Sequence, residues 1–382
     1  MVNLGNSSGD CEPSAGASTF SLIGRAIPGQ AAHPGHSGRI PACECCAAAA
    51  KYPDLMTLPS LDQIHDAQSL VYRYMPPTPQ YSWPLINQRL GAEAWIKHEN
   101  HTPVGAFKLR GALVYATWLK QTKPDLTGVV AATRGNFGQG VAMAARLLGL
   151  KAVIVVPHGN SVEKNRATQA QGSELVENGH DFQESLEFAG ILARERGYAM
   201  IESFHERLVL GTATYALELF QAAPELDVVY VPIGMGSSIC GMVAARNALN
   251  LSTEIVGVTA AACAATAISF RERKLIESPA DSLIADGLAC RRPNQDALEI
   301  IWSQVARIVE VSDAEIAEAM CIYYQDTHNV AEGAGAASLA AAMKEKSLLG
   351  SKRAGIILTG GNVDREILIA ALNGAFQFAR PT

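Results

Sequence analysis

The sequence predicts an α/β protein of two lobes, each an open, mostly parallel sheet flanked by helices. Three observations lead there. From residue 94 onward, short apolar and β-branched runs alternate with segments of helical periodicity. Four of the strand-to-helix junctions concentrate Gly, Ser, Thr and Asn, and ligands of open parallel sheets gather at the carboxyl ends of strands. With 382 residues, 48% hydrophobic and 18% charged, the chain can bury the core of one large two-lobed unit or of two ordinary domains.

Residues 1–56 read as a disordered N-terminal extension, rich in Gly, Ser, Pro and Ala and without periodicity, a composition that cannot pack a core. Globular character begins about Met56. Cys11, Cys43, Cys45 and Cys46 fall in the extension, with His33 and His36 nearby. The crowded C-E-C-C spacing lacks the paired C-x-x-C geometry of structural zinc sites, so no metal is expected there. Cys240, Cys263, Cys290 and Cys321 lie in apolar surroundings and read as small buried hydrophobes of a reducing compartment.

The expected strands are Ala94–Lys97, Val129–Thr133, Ala152–Val156, Val228–Ile233, Ile255–Thr259 and Gly355–Leu358. Between them the periodicity predicts helices over Phe107–Leu119, Phe137–Leu148, Glu163–Gln171, Leu210–Gln221 and Ser238–Leu249. A net charge of -6, with no run of five or six like charges, leaves no footprint for nucleic acid or an anionic membrane. No uncharged apolar stretch approaches the ~18 residues of a membrane span, and the N-terminus lacks a basic-then-apolar signal, so a cytoplasmic protein acting on small molecules is expected.

The first junction runs from Lys97 to Gly111 and ends with Lys108 at a helix start, where the positive macrodipole end and desolvation would both favour a neutral, nucleophilic amine. Taken alone, Lys108 reads as a surface charge and Phe107 as core. The second, Thr133-Arg134-Gly135-Asn136-Phe137-Gly138, offers helix-start N–H groups that suit a carboxylate; its ordinary reading is a turn capped by Asn136. The third, Gly234-Met235-Gly236-Ser237-Ser238, follows a strongly apolar strand and suits a phosphate. It also resembles a dinucleotide fingerprint, but the next strand ends Val258-Thr259-Ala260 without the acid that would hold a ribose, and no Lys-Ser/Thr pair follows the glycines as a P-loop requires. The fourth, Thr359-Gly360-Gly361-Asn362, is by itself a polar turn.

Together and in this order, these segments resemble the fold-type-II pyridoxal 5'-phosphate (PLP) enzymes, most closely the threonine/serine dehydratase branch, over about residues 57–375. Pro103 to Ala112 is similar to the family's P-T-G-S-F-K-x-R-G-A segment, with Val104 and Ala106 substituted, and Ala285-Asp286-Gly287 and Glu332-Gly333-Ala334-Gly335-Ala336 are further matches. The resemblance implies that Lys108 carries the cofactor as a Schiff base and that Phe107 packs against it. Asn136 would bond its phenolic oxygen, Gly234, Met235, Gly236, Ser237 and Ser238 would hold its phosphate, and Thr359 would face its pyridine nitrogen. Thr133, Arg134, Gly135, Asn136 and Phe137 would bind the substrate. It also implies a large cofactor-binding domain of residues 57–125 and 208–382, a small mobile substrate domain of residues 126–207, and a homodimer.

The implied activity is elimination: a hydroxyl at the ring nitrogen cannot keep it protonated as a carboxylate would, so prompt loss of the β-substituent is favoured over a fully delocalised carbanion. Lys108, displaced by the substrate amine, would be the general base at the α-carbon. A β-hydroxy amino acid would give a 2-oxo acid and ammonia. Departures refine this. Phe137 replaces the family's usual His, and Arg134 stands where related racemases place a catalytic serine, so weak racemisation is expected. Thr259 to Ala265 offers no carboxylate for the divalent cation those racemases bind. Arg134 either points outward or braces its loop, or pairs with the second carboxylate of a 3-hydroxyaspartate-like substrate. The 18 residues after Asp364 are too few for a regulatory domain, which implies a catabolic role. The alternatives are β-replacement, against which Leu109 and the Thr133–Gly138 loop depart from the cysteine-synthase pattern, and a binding protein that keeps the scaffold without turnover.

Overall fold

The computed structural model describes residues 56–376. The N-terminal extension, with Cys11, Cys43, Cys45 and Cys46, lies outside the described residues. Ten strands form two sheets. β1 (Gln80–Ser82), β2 (Ala94–His98), β7 (Val228–Pro232), β8 (Glu254–Ala260), β9 (Arg307–Val311) and β10 (Ala354–Leu358) make a six-stranded sheet in the order β1-β2-β10-β7-β8-β9. β3 (Gly128–Ala132), β4 (Lys151–Val156), β5 (Glu174–Glu177) and β6 (Ala199–Met200) make a four-stranded sheet in the order β5-β4-β3-β6. Every pairing is parallel except β1 with β2.

All six expected strands are present with ends shifted by one residue, and all five expected helices form: Lys108–Thr122, Asn136–Leu147, Val162–Ala170, Glu206–Ala222 and Ser237–Ala248. The strands that patterning did not reveal are short, edge-like or polar. β5 reads Glu-Leu-Val-Glu and is half-buried, and β6 has two residues, so neither carries the apolar run of a buried parallel strand. Cys240, Cys263 and Cys290 are buried free thiols as expected, whereas Cys321 is only half-buried, because its helix Asp313–Thr327 lies near the surface of the larger sheet's helical layer.

The position of β10 decides the site. This last strand inserts between β2 and β7, with Ala354 opposite both Ala94 and Val228. Three junctions remote in sequence therefore emerge side by side at one carboxyl edge. The junctions after β2 and β10 are also joined: Phe107 N–H donates to the Thr359 carbonyl at 3.0 Å and Gly361 N–H to the Gly105 carbonyl at 2.9 Å.

The Lys108–Thr122 helix is the spine between the sheets, packed against both the Asn136–Leu147 and Glu206–Ala222 helices. Its first turn is gripped by two glycines. A Cβ on Gly211 would lie 2.5 Å from the Arg110 carbonyl oxygen, and one on Gly140 would lie 3.1 Å from the Lys108 carbonyl carbon, so a larger residue at either point would push the turn aside. Beneath the turn, the fully buried Arg110 guanidinium bonds Glu99 at 2.8 Å and Glu218 at 2.6 Å, and Lys97 meets Glu218 at 2.6 Å. The network ties β2, the turn after it and two helices together, fixing the direction in which Lys108 leaves the backbone.

Candidate active site

A cavity of about 1440 Å³ opens between the two sheets. Phe107 and Lys108 from the first junction, Thr133 through Phe137 from the second, Gly234 through Ser238 from the third and Thr359 from the fourth all line it. The structure thus brings together every site residue that the sequence singled out.

Lys108 is the first residue of its helix, with Phe107 at the N-cap, and its Nζ stands 4.6 Å from the centre of the Phe107 ring. Its exposure is to the cavity between the sheets, which corrects the reading of this lysine as a surface charge. Burial pushes its amine down to about 8, against the opposing pull of the Glu332 carboxylate. Phe107 packs edge-on against the fully buried Tyr215, with centroids 6.1 Å apart, and the Tyr215 hydroxyl lies 2.7 Å from Ser238 Oγ. One rigid stack therefore links the lysine's neighbour to the third junction.

That junction makes a tight turn. Gly236 is the N-cap of the Ser237–Ala248 helix at φ 106° and ψ −12°, and a Cβ there would meet Ala297 Cβ at 2.6 Å, so only glycine suits both the conformation and the space. Ser237 and Ser238, which open that helix, line the cavity, and a helix start so placed can receive a phosphate or another small anion.

The second junction differs from its ordinary reading. Gly135, not Asn136, is the N-cap, and it makes no side-chain cap bond. Asn136 opens the helix and spends its carboxamide across the cavity: Nδ2 donates to Glu332 Oε1 at 2.6 Å, and Oδ1 accepts from Asn362 Nδ2 at 2.8 Å. Phe137 is buried, while Arg134 is exposed and lines the cavity. One acid of the same wall, Asp286, is already engaged by Lys164.

Two buried charged residues of the cavity, Glu332 and Lys164, lie outside the site residues that the sequence singled out. Glu332 is 4% exposed, and burial pushes its carboxyl up to about 7, moderated by Lys164, by the Asn136 bond and by Lys108. Lys164, 8% exposed, reaches from the Val162–Ala170 helix to Asp286 on the far side of the cavity. Glu332 was legible only as part of a repeated Gly-Ala motif. Lys164 sits in a polar segment, Val-Glu-Lys-Asn-Arg, that looks solvent-facing until the 286–288 turn brings Asp286 to it.

The family model that matches residues 71–360 is that of the pyridoxal-phosphate dependent enzymes. The chain belongs to this family. Its cofactor is pyridoxal 5'-phosphate. The chain is 32% identical over 320 residues to L-threo-3-hydroxyaspartate ammonia-lyase of Saccharomyces cerevisiae, covering 84% of this chain and 98% of the relative. It is 30% identical over 315 residues to L-threonine ammonia-lyase of Thermotoga maritima, covering 82% and 78%. Among solved structures it is similar to a pyridoxal 5'-phosphate-dependent aspartate racemase, at 28% identity and a TM-score of 0.76, covering 83% of this chain and 99% of that one. Together with the threonine ammonia-lyase, these likenesses bear out the threonine/serine dehydratase resemblance and the α/β architecture of two mostly parallel sheets.

Proposed function

We propose that the protein is an ammonia-lyase of the dehydratase type, converting a β-hydroxy amino acid into a 2-oxo acid and ammonia, and that Arg134 adapts it to a β-hydroxy dicarboxylic substrate such as 3-hydroxyaspartate. The convergence of Lys108, the Thr133–Phe137 loop, the Gly234–Ser238 loop and Thr359 on one cavity carries this reading.

These residues fit the family's cofactor. Lys108 offers an amine already lowered toward its neutral form, the left-handed Gly236 turn opens the Ser237–Ala248 helix at the cavity wall, and Asn136 keeps a second amide hydrogen after bonding Glu332. Thr359, 4% exposed, brings a hydroxyl where a carboxylate would hold a ring nitrogen protonated. When bound, pyridoxal phosphate supplies an electron sink for the α-carbon.

The chain's own groups supply the rest. Lys108 would attach the cofactor and would serve as general base at the α-carbon, its lowered pKa matching that task near neutral pH. The backbone N–H groups after Gly135 take the α-carboxylate. Arg134 takes the second carboxylate through a charge-assisted contact. Two similarities agree with this choice, since the yeast relative and the aspartate racemase are both named for amino acids with two carboxylates.

Residues 126–207 act as the small substrate lobe closing on 57–125 and 208–382. In support, β3 to β6 belong wholly to the first segment, and polar contacts such as Ser161 Oγ to Asp364 at 2.6 Å cross between the two. The resemblance supports a cytoplasmic homodimer, whose assembly light scattering on the purified protein would check. No helix among the described residues is long and apolar enough to cross a membrane.

Turnover of 3-hydroxyaspartate, threonine and serine by wild type and Arg134→Ala tests the substrate. The expected loss of kcat/KM on 3-hydroxyaspartate is about 10- to 100-fold, the equivalent of one charge-assisted hydrogen bond, with a far smaller change on threonine. An equal loss on both would sink the dicarboxylate reading. Absence of 2-oxo acid from every substrate would sink the lyase reading.

A further inference from the structure

Glu332 occupies the N-cap of the Gly333–Lys344 helix but makes no side-chain cap bond there. Capping by a side chain stabilises a helix by about 1 kcal/mol, and a buried polar atom left without a partner costs about 1–3 kcal/mol. Glu332 forgoes the first and incurs the second: its carboxylate turns inward, with Oε1 on Asn136 and Oε2 buried without a hydrogen-bond partner. A side chain kept in so unfavourable a place marks a functional role more readily than a structural one.

The local packing is shaped to keep it there. A Cβ on Gly360 would lie 2.6 Å from Glu332 Oε1 and 3.2 Å from Asn136 Nδ2, so only a glycine backbone leaves room for this pair. On the opposite side, Asn362 Nδ2 donates to Asn136 Oδ1 at 2.8 Å and to the Val104 carbonyl at 2.7 Å. A carboxylate can only accept, so the amide nitrogen of Asn136 must face Glu332 and its oxygen must face Asn362. One amide hydrogen is then left to point elsewhere.

We propose that Glu332 is a positioning residue: through Asn136 it aims that remaining N–H at the cofactor's phenolic oxygen, and by its own charge it sets the proton affinity of the lysine-bound cofactor. This rests on the placement of Lys108 and Asn136 proposed above. The charged groups that face Glu332 are Lys108 on its own helix start, Lys164 from the Val162–Ala170 helix and Asp286 from the 286–288 turn. Lys164 in turn feels Asp364. Burial places the ionisation of Glu332 at about 7, where the neutral acid and the anion exchange within the working range. The anion accepts strongly from Asn136 and adds negative charge beside Lys108. The neutral acid loosens the Asn136 bond and has no partner among the described residues for a proton on Oε2.

The absorption spectrum of the holoenzyme as a function of pH tests this without relying on turnover. In wild type the visible band of the lysine-bound cofactor is expected to change with a midpoint set by the ionisation of Glu332, which burial raises. In Glu332→Gln that midpoint disappears while the far-ultraviolet circular dichroism stays that of the wild type. Glu332→Asp, which keeps the charge but withdraws it by one methylene, should regain a midpoint at a displaced pH. Gly360→Ala forces Oε1 off Asn136 without removing any ionisable group and should displace the midpoint as well, so the test survives if Glu332→Gln does not fold. A Glu332→Gln spectrum with the wild-type pH dependence, or a wild-type spectrum flat across the neutral range, overturns the proposal. A band that persists in Lys108→Ala would overturn instead the attachment site on which it rests, and the proposal with it.

Discussion

The molecule gathers two sets of four charges within a few residues of one another, one wholly buried and one around the cavity, and they behave differently. Lys97, Glu99, Arg110 and Glu218 lie below the first turn of the Lys108 helix; Lys108, Lys164, Asp286 and Glu332 lie above it around the cavity. Each set holds two cations and two anions. In the lower set every guanidinium nitrogen of Arg110 has an acceptor, and Lys97 bonds the Thr78 carbonyl at 2.7 Å as well as Glu218. Against the effect of burial, Arg110 and Lys97 hold the Glu218 carboxyl below its ordinary range, so its charge is fixed. In the upper set Glu332 keeps an unpaired oxygen, and burial moves Lys108 and Glu332 toward neutrality from opposite sides, to about 8 and about 7. Equal charge thus gives a brace in one place and a proton-exchanging site in the other, where Asp286 and Lys108 are only half-buried. Completeness of hydrogen bonding makes the difference.

The largest effect that can break this comparison is at Lys108. Lys108→Ala removes both the attachment point and the general base, and should abolish the visible band and lower 2-oxo acid formation by about 10³-fold or more; thermal unfolding of the apo-protein should change little by comparison. Retention of substantial turnover would end the assignment. Next, Glu218→Gln strips the lower set of one anion and leaves Arg110 and Lys97 under-compensated, a loss of about 3–5 kcal/mol. Urea unfolding measures it, and the part of the protein that remains folded should keep the wild-type spectrum. An unchanged unfolding midpoint would show that the lower set is no brace.

The smallest effect sharpens the contrast through pH. The Glu332 carboxyl is raised from its ordinary 4.5 to about 7 in the folded protein. Its contribution to stability is therefore fully present below 4.5 and is lost as pH rises through 7. Relative to Glu332→Gln, wild-type apo-protein should lose stability steadily across that window as pH rises. Lys108, lowered in the fold, has the opposite sign: its contribution is present above its ordinary 10.5 and lost as pH falls through 8. Because Lys108 is present in both proteins, it cancels to first order in the difference. Melting temperatures of the two apo-proteins at several pH values measure that difference, and parallel curves would remove Glu332 from the account.

Much of the fold was legible because buried parallel strands are continuous apolar runs. Val228 to Pro232 and Ala354 to Leu358 are buried at every position and stand out in the sequence. Strand β5, half-buried between two glutamates, and the two-residue β6 carry no such run. The helix Gly333–Lys344 was likewise hidden: it is buried almost all round, so no polar face gives it a period. Of the site, the small polar and glycine residues at strand ends could be found, since few structures other than ligand loops concentrate them there.

What the sequence determined by itself is local: which segments become strands and helices, where the glycine turns fall, and that Lys108 begins a helix after a polar junction. What only the tertiary structure decided is adjacency. The insertion of β10 between β2 and β7 carries Thr359 and Gly360 to Phe107 and Asn136, and the facing of the two sheets brings Lys164 to Asp286 and Asn136 to Glu332. The physical reason is range. Helix and strand patterning report each residue's environment within a few positions along the chain, whereas burial and mutual charge, which turn Lys108 and Glu332 from surface types into titrating groups, arise from residues remote in the sequence.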